Sequence, residues 1–154
     1  MSDYIRLRQT PLLDEPAQSW PVGTRLLPLP EVDSDALYDL LTAAYSSGFG
    51  TLPPRAEWWP GVVADSEFDP GLVFVVGDSD GTPIGLALCW SSGFVKDLAV
   101  RQDWRGRGIG EALLCTAFAA FSARGLAQVD LKVMTANAPA LRLYQRVGMV
   151  AVAD

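Results

Sequence analysis

Arg101-Gln102-Asp103-Trp104-Arg105-Gly106-Arg107-Gly108-Ile109-Gly110-Glu111 lies between a strand-like run and the most regular helical pattern in the chain, and its reading decides the fold. Glycine at 106, 108 and 110 removes Cβ atoms, so ligand oxygens can approach the backbone amides closely. The helix that starts here presents unpaired N–H groups and the positive end of its dipole, which suits a diphosphate. Arg105 and Arg107 add full positive charges beside it. Spacing excludes two other phosphate loops. A P-loop needs Gly-x-x-x-x-Gly-Lys-Ser/Thr, and the chain has no Lys-Ser or Lys-Thr pair. A dinucleotide fingerprint needs Gly-x-Gly-x-x-Gly after the first strand of a parallel unit, whereas these glycines run Gly-x-Gly-x-Gly after an antiparallel meander.

That meander is read from Leu72 to Val76, Ile84 to Trp90 and Phe94 to Val100, joined by Gly77-Asp78-Ser79-Asp80-Gly81 and Ser91-Ser92-Gly93. Downstream, Ile109, Leu113, Ala117 and Phe121 recur at helical spacing, with Gly125 as the stop. Val129, Leu131 and Val133 alternate as a strand, Asn137 and Pro139 suit the start of a helix ending before Gly148, and Met149 to Val152 is a last short strand. Upstream, Tyr4 to Gln9 alternates as a half-buried strand, Thr10 to Gly23 is a loop, and Arg25 to Leu29 is a short edge strand. Asp33 or Ser34 caps a helix to about Tyr45, with Leu37, Leu40, Leu41 and Ala44 on one face. Pro53 to Glu67 is ambiguous, because Pro54 can open a helix and Pro60 can kink it. The sum is a mixed α/β chain.

The 154 residues, 49% hydrophobic and 19% charged, suit one domain over 1–154, with residues 1–23 as an extension and 24–154 as the core. There is no histidine, which excludes Ser-His-Asp and Cys-His pairs and histidine metal sites. Two cysteines, Cys89 and Cys115, build neither a disulfide framework nor a four-thiolate zinc site, so no metal is expected and a reducing cytoplasm is the expected location. Both sit on apolar faces, as buried small hydrophobes do. The net charge of −6 argues against nucleic-acid binding, and no apolar stretch is long enough for a membrane span or a signal peptide. Charge is also uneven: residues 1–94 carry −9 and residues 95–154 carry +3. An anionic ligand suits the second part and a cationic one the first.

Arg105-x-x-Gly108-x-Gly110 resembles the acyl-CoA motif [Q/R]-x-x-G-x-[G/A] of the GNAT superfamily of N-acyltransferases. Val95-Lys96-Asp97-Leu98-Ala99-Val100 resembles the strand before it in that family. Asn137-Ala138-Pro139-Ala140-Leu141-Arg142-Leu143-Tyr144-Gln145-Arg146-Val147-Gly148-Met149 resembles its second signature, with Met149 in place of the usual Phe. The resemblance runs from about Arg25 to Val152. It implies a GNAT-type fold: a mixed, mostly antiparallel sheet flanked by helices. Two departures are expected, an extra N-terminal strand and a shortened C-terminus without the family's last strand. Tyr4 to Gln9 is expected to fill that edge, in the same chain or in a partner, because an unpaired strand leaves hydrogen-bonding groups open.

The resemblance further implies acetyl-CoA as co-substrate, without a metal, and a primary amine as acceptor, cationic if the acidic part receives it. The protein would be a monomer or a homodimer. Leu98, Ala99 and Val100 would hold the thioester and pantetheine, and Arg105, Gly106, Arg107, Gly108, Ile109 and Gly110 the pyrophosphate. Asn137 would touch the pantetheine or serve as an N-cap. Tyr144 would protonate the departing thiolate, against the alternative of an ordinary core tyrosine. Asp97, next to the acyl position, is the candidate base, with a salt bridge as its alternative; Lys96 replaces the first of two acids found in polyamine-acetylating members. Tyr45, Trp58, Trp59, Trp90 and Phe94 would wall the acceptor pocket, against the alternative of core packing. Asp65, Glu67 and Asp69 could attract a cation. A non-catalytic acyl-CoA sensor is the alternative function.

Overall fold

The computed structural model describes residues 3–10, 12 and 19–153. Half of the expected loop from Thr10 to Gly23 lies outside the described residues. In chain order the elements are β1 (Tyr4–Gln9), β2 (Arg25–Leu27), α1 (Ser34–Ala44), α2 (Arg55–Ala64), β3 (Val73–Gly77), β4 (Pro83–Trp90), β5 (Phe94–Val100), α3 (Ile109–Ala123), β6 (Val129–Met134), α4 (Ala138–Arg146) and β7 (Val150–Val152). The Asp33 side chain accepts from Asp35 N and caps α1. The ambiguous segment is helical as α2, with Pro54 just ahead of it and Pro60 accommodated inside. β2 is two residues shorter than expected, because Leu29–Glu31 turns into a 3-10 helix around Pro30.

All strands join one sheet in the order β2-β3-β4-β5-β6-β1-β7, antiparallel except where β5 meets β6. Strand residues alternate between its faces. Leu37, Leu40, Leu41, Trp58 and Val62 of α1 and α2 pack on Val73, Val75, Leu86, Leu88 and Ala99. Leu113, Leu114, Ala117, Phe118 and Phe121 of α3 pack with Tyr144 of α4 on Ala87, Cys89, Val95, Val129, Leu131 and Val133. Each large side chain so buried stabilises the fold by about 1.5–3 kcal/mol. Among the described residues, no helix is long and apolar enough to cross a membrane.

β1 pairs beside β6 within the same chain, as expected of Tyr4 to Gln9. It is an inner strand rather than an edge: Tyr4 to Gln9 pair with Met134 to Val129 of β6 on one side, and Arg6 to Arg8 pair with Val152 to Val150 of β7 on the other. Leu7 points to the α3 face and is buried, while Arg6 and Arg8 point to the opposite face. There both reach the carboxylate of Asp130, at 2.7 Å from each Nε.

Candidate active site

β5 and β6 are paired only at Phe94 and Asp130, and beyond that point they diverge. Arg101 N donates to Ile84 O in β4 at 2.8 Å, so with antiparallel alternation the amides of Ala99 and Asp97 also face β4. The N–H groups of Leu98 and Val100 therefore point into the gap. Arg105 Nε donating to Val100 O at 3.0 Å marks the same side. The gap opens into a cleft of about 680 Å³ whose lining includes Tyr45, Leu98, Ala99, Val100, Arg105, Gly106, Gly108, Ile109, Gly110, Asn137 and Tyr144. The structure thus brings together most residues of the expected acyl-CoA set.

Gly106 and Gly108 have φ of 77° and 86°, the left-handed region that a Cβ disfavours. A Cβ at either would meet nothing within 4 Å, so backbone conformation rather than packing demands glycine, and the space above them is open. Ala112 N is the first α3 amide to close onto the loop, at 3.0 Å from Gly108 O. The amides of Ile109, Gly110 and Glu111 therefore lack intrahelical acceptors and face an anion site at the positive end of a 15-residue helix. Arg107 does not line the cleft and lies over the Trp104 ring, 4.5 Å from its centroid. Asn137 is the N-cap of α4, its Oδ1 accepting from Ala140 N at 3.3 Å, and it also lines the cleft.

Tyr45, Asp97 and Lys96 form one hydrogen-bonded group between the end of α1 and β5, and of the three Tyr45 alone lines the cleft. Tyr45, in the 3-10 turn that ends α1, donates its hydroxyl proton to Asp97 Oδ1. Asp97 is buried at 6% exposure, and Lys96 Nζ donates to its Oδ2 at 3.0 Å. The register passes from Leu88–Asp97 to Cys89–Val95, which leaves Lys96 as the extra residue of a β-bulge. The bulge puts Lys96 beside its neighbour's carboxylate. Tyr144 is buried on α4, and burial, reinforced by the Asp97 charge, pushes its phenol up to about 12. The same two causes raise Tyr45, and Tyr144 adds to them. Cys89, on the other face of the sheet, is buried and its thiol is pushed up to about 12, chiefly by burial, so it is an inert thiol. Cys115 is half-buried and free of disulfide.

The expected acceptor wall divides. Trp58 is a core residue at 2% exposure, with Tyr38 and Trp59 rings at 5.9 and 5.4 Å, and Trp59 in turn stacks edge-on to Phe68 at 5.9 Å. Neither is among the residues that line the two main clefts. Tyr45 lines the cleft at the β5–β6 gap, and Trp90 and Phe94 line a second cleft, of about 430 Å³. The acids near the start of the meander are used locally: Asp65 and Asp69 accept from Glu67 N and Gly71 N, Asp69 also pairs with Arg124, and Glu67 Oε1 accepts from Ser92 N. Sequence reasoning did not pick out Phe49, Trp104, Arg142 or Arg146 as cleft residues. Arg142 and Arg146, one helical turn apart within the second signature, were a readable signal for the two cations.

Residues 34–149 match the model of the acetyltransferase (GNAT) family. The mycothiol acetyltransferase of Clavibacter michiganensis is 42% identical over 87 residues, 54% of this chain and 28% of that protein. A GCN5-related N-acetyltransferase from Sphaerobacter thermophilus superposes with a TM-score of 0.80 at 31% identity, covering 97% of this chain and 48% of that one. Arabidopsis thaliana Naa50, solved with the bisubstrate analogue CoA-Ac-MVNAL, shares the fold at a TM-score of 0.61 and 22% identity, covering 86% of each chain. The chain thus spans about half the length of the Sphaerobacter protein, and the stretch matched to the Clavibacter enzyme is under a third of it.

Proposed function

The chain belongs to the GNAT acetyltransferase family, and on that premise we propose that it moves an acetyl group from acetyl-CoA to a primary amine of a small molecule or peptide. The observation that carries this reading is the presence of Tyr144, Leu98 and Val100 in one cleft, next to a loop whose open amides suit a diphosphate, with Asp97 one hydrogen bond behind the cleft residue Tyr45. The glycine loop fits the co-substrate because its two left-handed glycines leave open space where a phosphate would approach. When bound there, acetyl-CoA supplies the activated acetyl carbonyl and a thiolate leaving group.

The residues do the rest. A primary ammonium with an ordinary pKa near 10.4 must lose a proton before it attacks, at a cost of about 4–5 kcal/mol at pH 7. Asp97, on the α1 face of the gap, receives that proton, and Tyr45 and Lys96 hold its two oxygens in place. The N–H groups of Leu98 and Val100 donate to the thioester oxygen as its charge grows. The amine nitrogen bonds to the acetyl carbon and the carbon–sulfur bond breaks. Tyr144, still protonated because its phenol lies near 12, donates to the departing sulfur. The nitrogen then sheds a second proton, which replaces through solvent the one that Tyr144 gave to sulfur, so the products are an amide, the free thiol and the one proton that Asp97 received.

Release of free thiol from acetyl-CoA in the presence of a panel of primary amines tests the reading. Turnover that requires both substrates is expected. Binding of CoA with no thiol release on any amine would instead identify a non-catalytic acyl-CoA-binding module.

A further inference from the structure

The chain that leaves α1 folds back on Tyr45, the residue that caps that helix. Tyr45–Ser47 forms a 3-10 turn, and Gly48, at a left-handed φ of 91°, closes it by donating its amide to Tyr45 O at 3.0 Å. Two residues later the backbone lies against the Tyr45 side chain. A Cβ built on Gly50 would stand 2.9 Å from both Cγ and Cδ1 of Tyr45 and 3.0 Å from Cδ2. A point equidistant from three atoms of a planar ring lies on the axis of that ring, so Gly50 sits over the centre of the phenol face. Carbon atoms in ordinary contact stand about 3.5–4.0 Å apart, so a single methyl group does not fit there. Gly50 is not among the glycines with a positive φ. The ring, and not the backbone conformation, excludes a side chain at this position.

The same ring is held at its tip, where the hydroxyl donates to Asp97. The chain around Gly50 is tied on both sides: Gly48 N to Tyr45 O before it, and Pro53 O after it, which accepts from the Tyr38 hydroxyl at 2.7 Å. A Cβ at position 50 is therefore admitted by tilting the ring and not by moving the chain. The hydroxyl is the ring atom farthest from the Tyr45 backbone, so a tilt displaces it most. Its departure leaves the buried Asp97 carboxylate to Lys96, which donates to the other oxygen at 3.0 Å. Phe49, between the two glycines, lines the same cleft as Tyr45, whereas Gly50 does not line it.

We propose that Gly50 is a positioning residue of the site: its bare Cα seats the Tyr45 ring at the tilt that lets the hydroxyl hold Asp97. The kinetic consequence rests on the acetyl-transfer reading above, and the structural one on the ring contact. Gly50 belongs to neither of the two sequence signatures, and its only polar atoms are those of the backbone.

The test uses Gly50→Ala, Tyr45→Phe and the two combined, with Gly61→Ala as control, because a Cβ at Gly61 in α2 meets nothing within 4 Å. In protein carrying 13C at tyrosine Cζ, the Tyr45 signal is identified by its loss in Tyr45→Phe. It is expected to move in Gly50→Ala toward its position in Asp97→Ala, where the acceptor is gone, and to stay in place in Gly61→Ala. Gly50→Ala is expected to lower kcat by about tenfold to a hundredfold with KM for acetyl-CoA little changed. In the Tyr45→Phe background it should add no further loss, because the displaced ring there holds nothing. A residue with only a packing role would cost the same in both backgrounds. A Tyr45 signal unmoved in Gly50→Ala, or a loss of kcat repeated in full in the Tyr45→Phe background, would overturn the proposal. If Gly50→Ala does not fold, combining it with Tyr45→Ala decides: recovery of a cooperative melt supports the ring contact, and no recovery refutes it. If wild type releases no thiol with any amine, acetyl transfer fails separately, and the Cζ shift alone decides the role of Gly50.

Discussion

The hydroxyl of Tyr45 donates to the carboxylate of Asp97, joining the end of α1 to the middle of β5 across 52 positions of sequence. Burial, then the Asp97 charge, keeps the Tyr45 phenol protonated, so it acts as a fixed donor to the Asp97 carboxylate. Removing the carboxylate removes the proton acceptor, and Asp97→Asn is expected to lower kcat by about 10²–10⁴-fold. Tyr45→Phe leaves the carboxylate but frees one oxygen, for a smaller loss of about tenfold to a hundredfold, at or below the bottom of that range. Steady-state kinetics check both, with KM for acetyl-CoA little changed. A Tyr45→Phe protein as active as wild type would remove this positioning role.

Tyr144 gives a pH prediction with a definite sign. Its phenol lies near 12, raised by burial and then by Asp97, so the protonated form needed by a donor persists throughout the neutral and mildly alkaline range. Rates between pH 7 and 10 should show no alkaline fall assignable to this group. Tyr144→Phe should lower kcat by about 10²-fold or more at every pH in that window, with CoA affinity retained in calorimetry.

The loop is tested through its left-handed glycines. Gly108→Asp adds a Cβ that meets no neighbour, at a backbone cost of about 1–2 kcal/mol for leaving the right-handed region. The helix should survive, while the added carboxylate occupies and repels the phosphate position. CoA affinity is expected to fall at least a hundredfold in calorimetry, with a far-ultraviolet spectrum like that of wild type. Unchanged affinity would put the diphosphate elsewhere.

β1 lies between two strands, so removing residues 1–10 should do more damage than trimming an edge. The deletion is expected to abolish cooperative unfolding in a thermal melt. Leu7→Ala, at a position 3% exposed, should cost about 2–5 kcal/mol in denaturant unfolding. An unaltered melting curve for the deletion would contradict the inner-strand placement.

Asp130 anchors the other end of the same strand pair. Its folded-state pKa is depressed, chiefly by the hydrogen bond from Arg8 and then by Arg6, so its stabilisation is full above the ordinary carboxylate range and is lost as pH falls through the folded value. Wild type should lose thermal stability on acidification from about pH 5 downward. Asp130→Asn should melt several degrees lower at pH 7, and the gap between the two proteins should narrow toward pH 3.

The elements legible in the sequence were those whose signal is local. The meander from Val73 to Val100 announced itself by turn residues, α3 by its apolar period, and α4 by Asn137 and Gly148. What stayed hidden depends on which strands become neighbours. The strand at Tyr4–Gln9 was visible, but its insertion between β6 and β7 joins segments more than 120 residues apart, and no local pattern encodes that. The glycine loop and the β5 residues that line the cleft were legible by motif, because their signal lies in adjacent residues. The acceptor side was not, because the Tyr45–Asp97 contact and the Lys96 bulge are both tertiary. Trp58 was partly legible: with Val62 four residues on, it repeats at helical spacing, and both face α1 in the core.

The most direct measurement of the central claim, that the β5–β6 gap and the following loop hold acetyl-CoA, is a titration of 15N-labelled protein with acetyl-CoA followed by amide chemical shifts. The account predicts that the largest shifts fall on Leu98 and Val100 in β5 and on Gly106, Gly108, Ile109 and Gly110 in the loop. Saturable binding with these amides unmoved, and shifts gathered instead around Arg8 and Phe94, would contradict it.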